Sequence, residues 1–539
     1  MSGLTTHKPE ASTTTSSNCF ASQKDSFGTR PLVMTPDTQL SPHAKWNNEM
    51  EWNNRSEKET TTTTTRSKFT IPTNVIKLGA AYLLVYLVYL LAFKTEEVDV
   101  NGRKARHDNE AFFLHNWAEF VSAHPVRARD RTGFSEMGLR TQMYAHLLAD
   151  PTLPNFDYFE QVLWPYLPGI KELRQSYLNG TRFTTKANNN RGIVMSLGKK
   201  QFIFAVQFIA SVRNIHKCNY PIELYYYGED DLPLEMRTYV TTAFSNVRTI
   251  DLEKVSLFDK DLTRLDKQGF ALKTFALIAT NMTEVILADA DAVFLSKPQD
   301  FFQVDGYMQT GTLFFHDRDH VRAGPDKIIH DFLNDQLQLR GPSERLSKTH
   351  FWTKKGIYEQ ESGIVVVNKS RVEVFAALLF TAWQNSGEIR DQTTYRVFWG
   401  DKESFWLAFE LAQIPYYFVS HYAGAIGSEH ASHGEGFCSE HPLHFFDDEG
   451  DTSLLGKPAW FNGGLLDVKK HSADRYLNAT AWAMKGEWEF LEESEVWCIR
   501  NYTRGDMTEH HMDNKLQSLV SGALDAAATA QAYLLEHSQ

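Results

Sequence analysis

Asp289 and Asp291 stand two residues apart, directly after the apolar run Val285 to Ala288. A strand continued through them would turn both carboxylates to one face and Ala290 to the other, because side chains alternate along extended chain. Two like charges held that close need a counterion. A hard divalent cation, Mn²⁺ or Mg²⁺, takes oxygen ligands and keeps positions open for phosphate oxygens. Aspartate is also common where any strand ends in a polar turn. Here the apolar strand before the pair, and Val293, Phe294, Leu295 and Pro298 after it, favour the metal-binding reading.

Other chemistry-bearing residues admit plainer roles. Glu361, Ser362 and Gly363 precede a second apolar run, Ile364 to Val367, where Glu361 reads as a strand-edge carboxylate. Gly400 and Asp401 precede a helical stretch, Lys402 to Leu411, and GDKES is a good capping sequence, so Asp401 reads as an N-cap. Capping and catalysis are compatible. Lys273 lies in a helical stretch, where lysine is ordinarily solvated. His430, His433, Cys438, His441 and His444 include zinc-ligand types, but their irregular spacing favours a solvated polar loop. Trp399, Trp406, Trp460, Trp482, Trp488 and Trp497 offer flat faces on which sugars could stack, although most such rings are expected in the core.

Strands alternating with helices must position these residues. GIVMSLG (Gly192 to Gly198) and PIELYYYG (Pro221 to Gly228) read as strands around the helical stretch Phe202 to Ile215, a β-α-β unit. Val247 to Leu252 suggests a third strand, Ala271 to Thr280 a helix, and Val285 to Ala288 the buried strand that ends in the aspartates. Such alternation implies an α/β domain with a mostly parallel sheet covered on both faces, whose ligands sit beyond the carboxyl ends of the strands.

The 539 residues allow one large domain with appendages, and 42% hydrophobic and 23% charged residues are ordinary globular usage. A net charge of −12 is the wrong sign for holding nucleic acid. Residues 1–74 are rich in Thr, Ser and Asn and read as a disordered tail. Residues 75–93 form an apolar segment broken only by Lys77, long enough at about 1.5 Å per residue to span a thin bilayer as one helix. Arg66, Lys68 and Lys77 before it, and Glu96, Glu97 and Asp99 after it, leave the tail in the cytosol and everything later in the secretory lumen. Residues 94–155 then read as a stem with leading helices, 156–510 as the main luminal domain and 511–539 as a C-terminal packing helix. Asn179, Asn281, Asn368, Asn478 and Asn501 lie in luminal sequons, with Asn281 expected to be occluded by the strand that follows it. Cys218, Cys438 and Cys498 permit one luminal disulfide and one odd thiol. Spacing does not choose among the pairings, of which Cys438 with Cys498 is the one adopted.

LADADAVFL (Leu287 to Leu295) resembles the DxD strand of GT-A glycosyltransferases. GIVMSLG, PIELYYYGEDDLP, GFALKTFAL, QESGIVVVNKSR and WGDKESFWLAF, in that order, extend the likeness over most of Gly192 to Leu466. As a set they resemble the fungal α-1,3-mannosyltransferases of glycosyltransferase family 71, type II Golgi membrane proteins. The resemblance implies a GT-A-type, Rossmann-like sheet and a GDP-mannose donor whose diphosphate is bridged by Mn²⁺ or Mg²⁺ to Asp289 and Asp291. It implies that Gly192, Ser196 and Asp230 border the nucleoside and that Lys273 lies near the phosphates or donor sugar. Ser362 and Gly363 would sit beside that sugar, with Asp401 and Glu361 near the reacting carbon. A third metal ligand is expected from the carboxyl-terminal part, with His444 the candidate, although WFNGG (Trp460 to Gly464) departs from the histidine-containing pattern expected there. The implied reaction is retaining transfer of mannose to a mannose-terminated glycan in the Golgi. The alternatives are a UDP-hexose donor on the same fold, or an inactive membrane-anchored glycan-binding protein.

Overall fold

GIVMSLG forms β1 (Arg191–Ser196), a strand with no charge after its first residue and apolar side chains for both faces of a sheet. It pairs in parallel with β2 (Ile222–Tyr226), which pairs in parallel with β3 (Val247–Asp251). On its other side β1 pairs in parallel with β4 (Glu284–Ala288), the strand that leads to the aspartates. After a two-residue strand β5 (Val293–Phe294) the chain returns to this sheet through β6 (Thr312–His316) and β7 (Gln360–Asn368). The order is β3-β2-β1-β4-β7-β6, and β7 runs antiparallel to both neighbours, so it alone opposes the common direction. The expected α/β, mostly parallel sheet is therefore present.

The computed structural model describes residues 114–149, 157–178, 191–267, 269–320, 326–354, 356–427, 436–447, 454–466, 475–491 and 496–537. All belong to a compact unit, Ala80–Gln539; the other unit, Met1–Gly79, lies outside the described residues. So do the tail, the apolar segment 75–93, Asn179, His430 and His433. Among the described residues no helix is long and apolar enough to cross a membrane.

Strand alternation splits the interior into two cores. Val285 and Leu287 face one, with Leu272, Phe275, Phe380 and Trp406, whereas Ile286 and Ala288 face the other, with Phe202, Val206 and Trp460. The first core is covered by α1 (Gly133–Ala149), α4 (Leu272–Ala279), α5 (Val372–Gln384) and α6 (Lys402–Ala412). The second lies under α2 (Phe202–Ala210) and is bordered by α3 (Leu234–Ala243). Leu114, Trp117 and Phe134 join the first core, so the leading helices belong to the folded domain. The C-terminal helix α7 (Met512–His537) packs on α2, as its amphipathic pattern implied, burying Leu516, Leu519, Ala523 and Ala527.

A second, antiparallel sheet was not anticipated. Its order is β15 (Thr503–Asp506), β12 (Ala481–Met484), β8 (Gly424–Gly427), β10 (Pro442–Phe445), β11 (Pro458–Phe461) and finally β5. β5 pairs Phe294 with Trp460 and Val293 with Phe461, which ties the carboxyl-terminal part to the chain just past Asp291. In a third sheet β9 (Phe437–Cys438) and β13 (Glu487–Leu491) flank β14 (Val496–Arg500), where Cys438 and Cys498 face each other in register and form the adopted disulfide. Cys218 is a buried free thiol. Asn281 is exposed, not occluded, because it sits in the loop ahead of β4 and not on the strand.

Candidate active site

The aspartate pair does not continue β4. The Asp289 carbonyl accepts from Ala292 N–H at 3.1 Å, so residues 289–292 form a tight turn beyond the strand end. Two backbone bonds fix it: Asp289 N–H donates to the Gly363 carbonyl at 2.8 Å, and Gly464 N–H donates to the Asp291 carbonyl at 2.7 Å. The expected geometry was an extended strand, but both carboxylates still line one cleft of about 850 Å³ at the carboxyl ends of β1 and β4.

Lys273, on the first turn of α4, is buried beside the pair. Its Nζ lies 2.6 Å from Asp289 Oδ1 and 3.7 Å from Asp401 Oδ2, and it donates to Ser362 Oγ at 3.4 Å. Burial alone would lower the pKa of this amine. The charges of Asp289 and Asp401 more than reverse that and hold it above its usual range. The solvated-lysine reading fails at this position.

Asp401 occupies the N-cap position of α6, yet its side chain makes no capping bond. It is 3% exposed, and its Oδ2 accepts no hydrogen bond. Burial pushes this carboxyl above its ordinary range, against the pull of Lys273. Gly400, at φ +74°, makes the bend that turns Asp401 inward. Glu361 is also buried, but it is pinned: Oε1 accepts from Gly363 N–H at 3.0 Å and from Asn462 Nδ2 at 3.2 Å. Burial, then the Asp317 charge, push Glu361 upward against Lys402 and Arg318.

Ser196, Lys273, Asp289, Asp291, Glu361, Ser362 and Asp401 all line the cleft. Four candidates do not. Gly192 sits at the opposite end of β1, where an added Cβ would meet Met282 Sδ at 1.9 Å, a packing requirement. Gly363 is required by Trp460, whose ring an added Cβ would meet at 2.8 Å. Asp230 is an exposed turn residue, and its neighbour Asp231 faces the cleft, its Oδ2 accepting from Tyr227 N–H at 3.0 Å. His444 lies inside the second sheet, 1% exposed, stacked 4.2 Å from Trp460. Burial drives its pKa down to about 3, and it is not a cleft residue.

Sequence reasoning missed Asn462, Lys402 and Asp317. Asn462 arrives through the β5–β11 pairing, a contact between residues far apart in the chain. Lys402 lines the cleft and donates to the fully buried Asp317, and it follows Asp401 directly in the sequence. That adjacency was the available signal.

The donor set fits a divalent ion. Asp289 and Asp401 flank Lys273, Asp291 lines the same cleft, and Asp401 Oδ2 has no hydrogen-bond partner. Among the described residues no group of three or more His, Cys, Asp or Glu side chains could hold a metal by itself. Two aspartates would therefore leave coordination positions for a ligand's oxygens.

The fold and cleft define an α/β domain with charged side chains of both signs at its strand ends, and likeness to known proteins makes the assignment narrower. Residues 190–446 match the family model described as "Mannosyltransferase putative". The chain is 28% identical over 321 residues to "Putative alpha-1,3-mannosyltransferase MNN14" of Candida albicans, covering 54% of this chain and 44% of that one. It is 24% identical over 413 residues to alpha-1,3-mannosyltransferase MNN1 of Saccharomyces cerevisiae, covering 66% and 52%. The chain is thus similar to fungal mannosyltransferases over residues 190–446, and it spans about half the length of these relatives. Among solved structures it aligns with core-mannan synthase A of Aspergillus fumigatus in its Mn/GDP form, at 8% identity. That alignment covers 44% of this chain and 74% of the other, with a TM-score of 0.30, a likeness too distant to bear on the chemistry.

Proposed function

We propose that the protein is a retaining, metal-dependent α-mannosyltransferase of GT-A type, moving mannose from GDP-mannose to a mannose-terminated glycan in the Golgi lumen. The observation that carries this reading is the excess of carboxylate over cation around Lys273 in the cleft of a chain similar to that family.

Asp289 and Asp291 would hold Mn²⁺ or Mg²⁺, which when bound supplies Lewis-acid stabilisation of charge developing on the departing phosphate. Lys273 adds a fixed positive charge at the same place and sets the orientation of Asp289 and Asp401 by its ion pairs. Asp401 keeps an oxygen free of hydrogen bonds, so it can face positive charge that develops at the sugar's reacting carbon, as carboxylates do in glycosidases. Glu361, held by Asn462 and by Gly363 N–H, keeps a second carboxylate fixed beside Ser362. Burial of Asp401, Glu361 and Ser362 strengthens each of these interactions by excluding water.

The test is a donor panel. Purified protein is incubated with Mn²⁺, a mannobiose acceptor, and GDP-mannose, UDP-glucose or UDP-galactose in turn, and the product linkage is analysed. Transfer from GDP-mannose alone, with an α-1,3 linkage, is expected. Asp291→Ala should lower turnover roughly 10²-fold or more while remaining folded. Undiminished transfer by that folded variant would overturn the assignment of the aspartates.

A further inference from the structure

Among the described residues the largest rings are mostly buried, and Trp164, Trp406, Trp460 and Trp488 are all less than 2% exposed. Phe270 and Trp399 break that pattern at 59% and 51% exposed, and both line the cleft. Phe270 stands in the short turn Gly269–Ala271 that leads into α4, three residues before Lys273. Trp399 stands two residues before Asp401. The two turns approach each other, because a Cβ added to Gly400 would lie 3.8 Å from the Phe270 ring. Two rings on adjoining loops are therefore more than half exposed, each a few residues from Lys273 or Asp401.

Holding large apolar rings at a cleft mouth forfeits the stabilisation their burial would bring, so the position calls for a ligand that covers them. The platform itself is uncharged, whereas the charged groups of the cleft lie among the carboxylates and lysines. A nucleoside diphosphate needs those charges. A neutral pyranose at the end of a glycan needs a flat apolar surface for its C–H face and an open rim for the rest of its chain.

We propose that Phe270 and Trp399 form the acceptor platform, on which the terminal sugar of a neutral glycan stacks so that its hydroxyl points into the cleft toward Lys273 and Asp401. The proposal rests on the transferase reading above and adds where the acceptor binds. Stacking of one ring on a sugar is comparable to an aromatic pair, so losing it should weaken acceptor binding about tenfold.

Two measurements on the full chain test it. In kinetics, Trp399→Ala and Phe270→Ala should each raise the KM for mannobiose about tenfold, with the KM for GDP-mannose within about twofold of the starting value. Trp399→Phe should recover most of that loss, since a flat ring returns. A rise in the donor KM instead, meaning that the rings hold the nucleotide, would overturn the proposal, as would an unchanged acceptor KM in both alanine variants. In saturation-transfer NMR, with no donor present, mannobiose C–H signals should be enhanced by the wild-type protein and reduced with Trp399→Ala, in keeping with about tenfold weaker binding. Enhancement undiminished in the variant, or absent from the wild type, would refute the platform. Because this second readout needs no turnover, it decides where the acceptor binds even if GDP-mannose fails as donor.

Discussion

Lys273 and Lys402 line the same cleft and both answer buried carboxylates, yet their surroundings balance differently. Lys402 meets Asp317, which is fully buried, and Arg318 lies 3.6 Å from the same carboxylate. Glu361 and Glu403 also lie near Lys402, and burial pushes both of these glutamates upward, so the charge that the two cations chiefly answer is that of Asp317. Burial would raise Asp317, but Lys402 and Arg318 hold it well below the usual carboxylate range. That group is complete within the protein. Lys273 pairs with both Asp289 and Asp401, Asp291 adds a third carboxylate to the same cleft, and Asp289 is still 24% exposed toward it. The first arrangement is a closed ion-pair network that supports a wall. The second leaves two carboxylates on one lysine at the wall of an open cleft, which is how a candidate binding site differs from a closed ion-pair network.

The largest expected effect separates the two lysines by stability. Lys402→Met strands the Asp317 carboxylate in the interior and should cost about 3–5 kcal/mol, nearer the lower figure because Arg318 remains beside it. Chemical denaturation of the purified protein measures this, and a midpoint close to that of the wild type would break the comparison.

Lys273→Met should instead act on turnover. Loss of one electrostatic stabiliser is expected to reduce it roughly 10- to 10²-fold. The variant also sharpens the distinction, because it leaves Asp289 and Asp401 without the lysine that pairs them, a loss that a divalent ion at Asp289 and Asp291 would offset. Mn²⁺ should therefore raise its melting temperature more than that of Lys402→Met. Equal responses from the two variants would mean that both lysines serve the same structural purpose.

A smaller effect lies in the pH dependence of stability. Glu403, next to Lys402 and fully buried, is pushed up to about 7 by burial, against the pull of Lys402 and the Trp406 hydrogen bond. Its folded-state pKa exceeds the unfolded value of 4.5, so between those values the folded state binds more protons, and stability falls as pH rises. From pH 5 to 6.5 this group should contribute a decline of about 1–2 kcal/mol. Glu403→Gln should flatten the slope across that interval relative to the wild type, and an unchanged slope would remove Glu403 as its source.

Five strands of the first sheet were legible because they are short runs alternating with helical spacing, and each appears within a few residues of its expected bounds, whereas β6 was not read from the sequence. The aspartates, Lys273, Glu361, Ser362 and Asp401 were legible because they follow or precede those elements in sequence. The second sheet was not. Its strands are four residues or fewer, contain Gly, Pro and Ala, and pair only across long separations, so no local period announces them. His444 was misread for the same reason: only the register of β10 against β11 reveals that its ring lies on Trp460. Asn462 was missed because Asn-Gly-Gly reads as a turn, and nothing local shows that this turn closes on Asp291 and Glu361. Asp230 was one residue off within an acidic run, where the turn geometry alone decides which carboxylate faces inward.

Calorimetric titration of GDP into the protein, with Mn²⁺ and then with a chelator, tests the proposed metal site at Asp289 and Asp291 most directly. Binding that requires Mn²⁺, and that is lost in Asp289→Asn and Asp291→Asn while both remain folded, is the expected result. Equal affinity with and without the ion, or binding indifferent to both substitutions, would show that the cleft's carboxylates serve some other end.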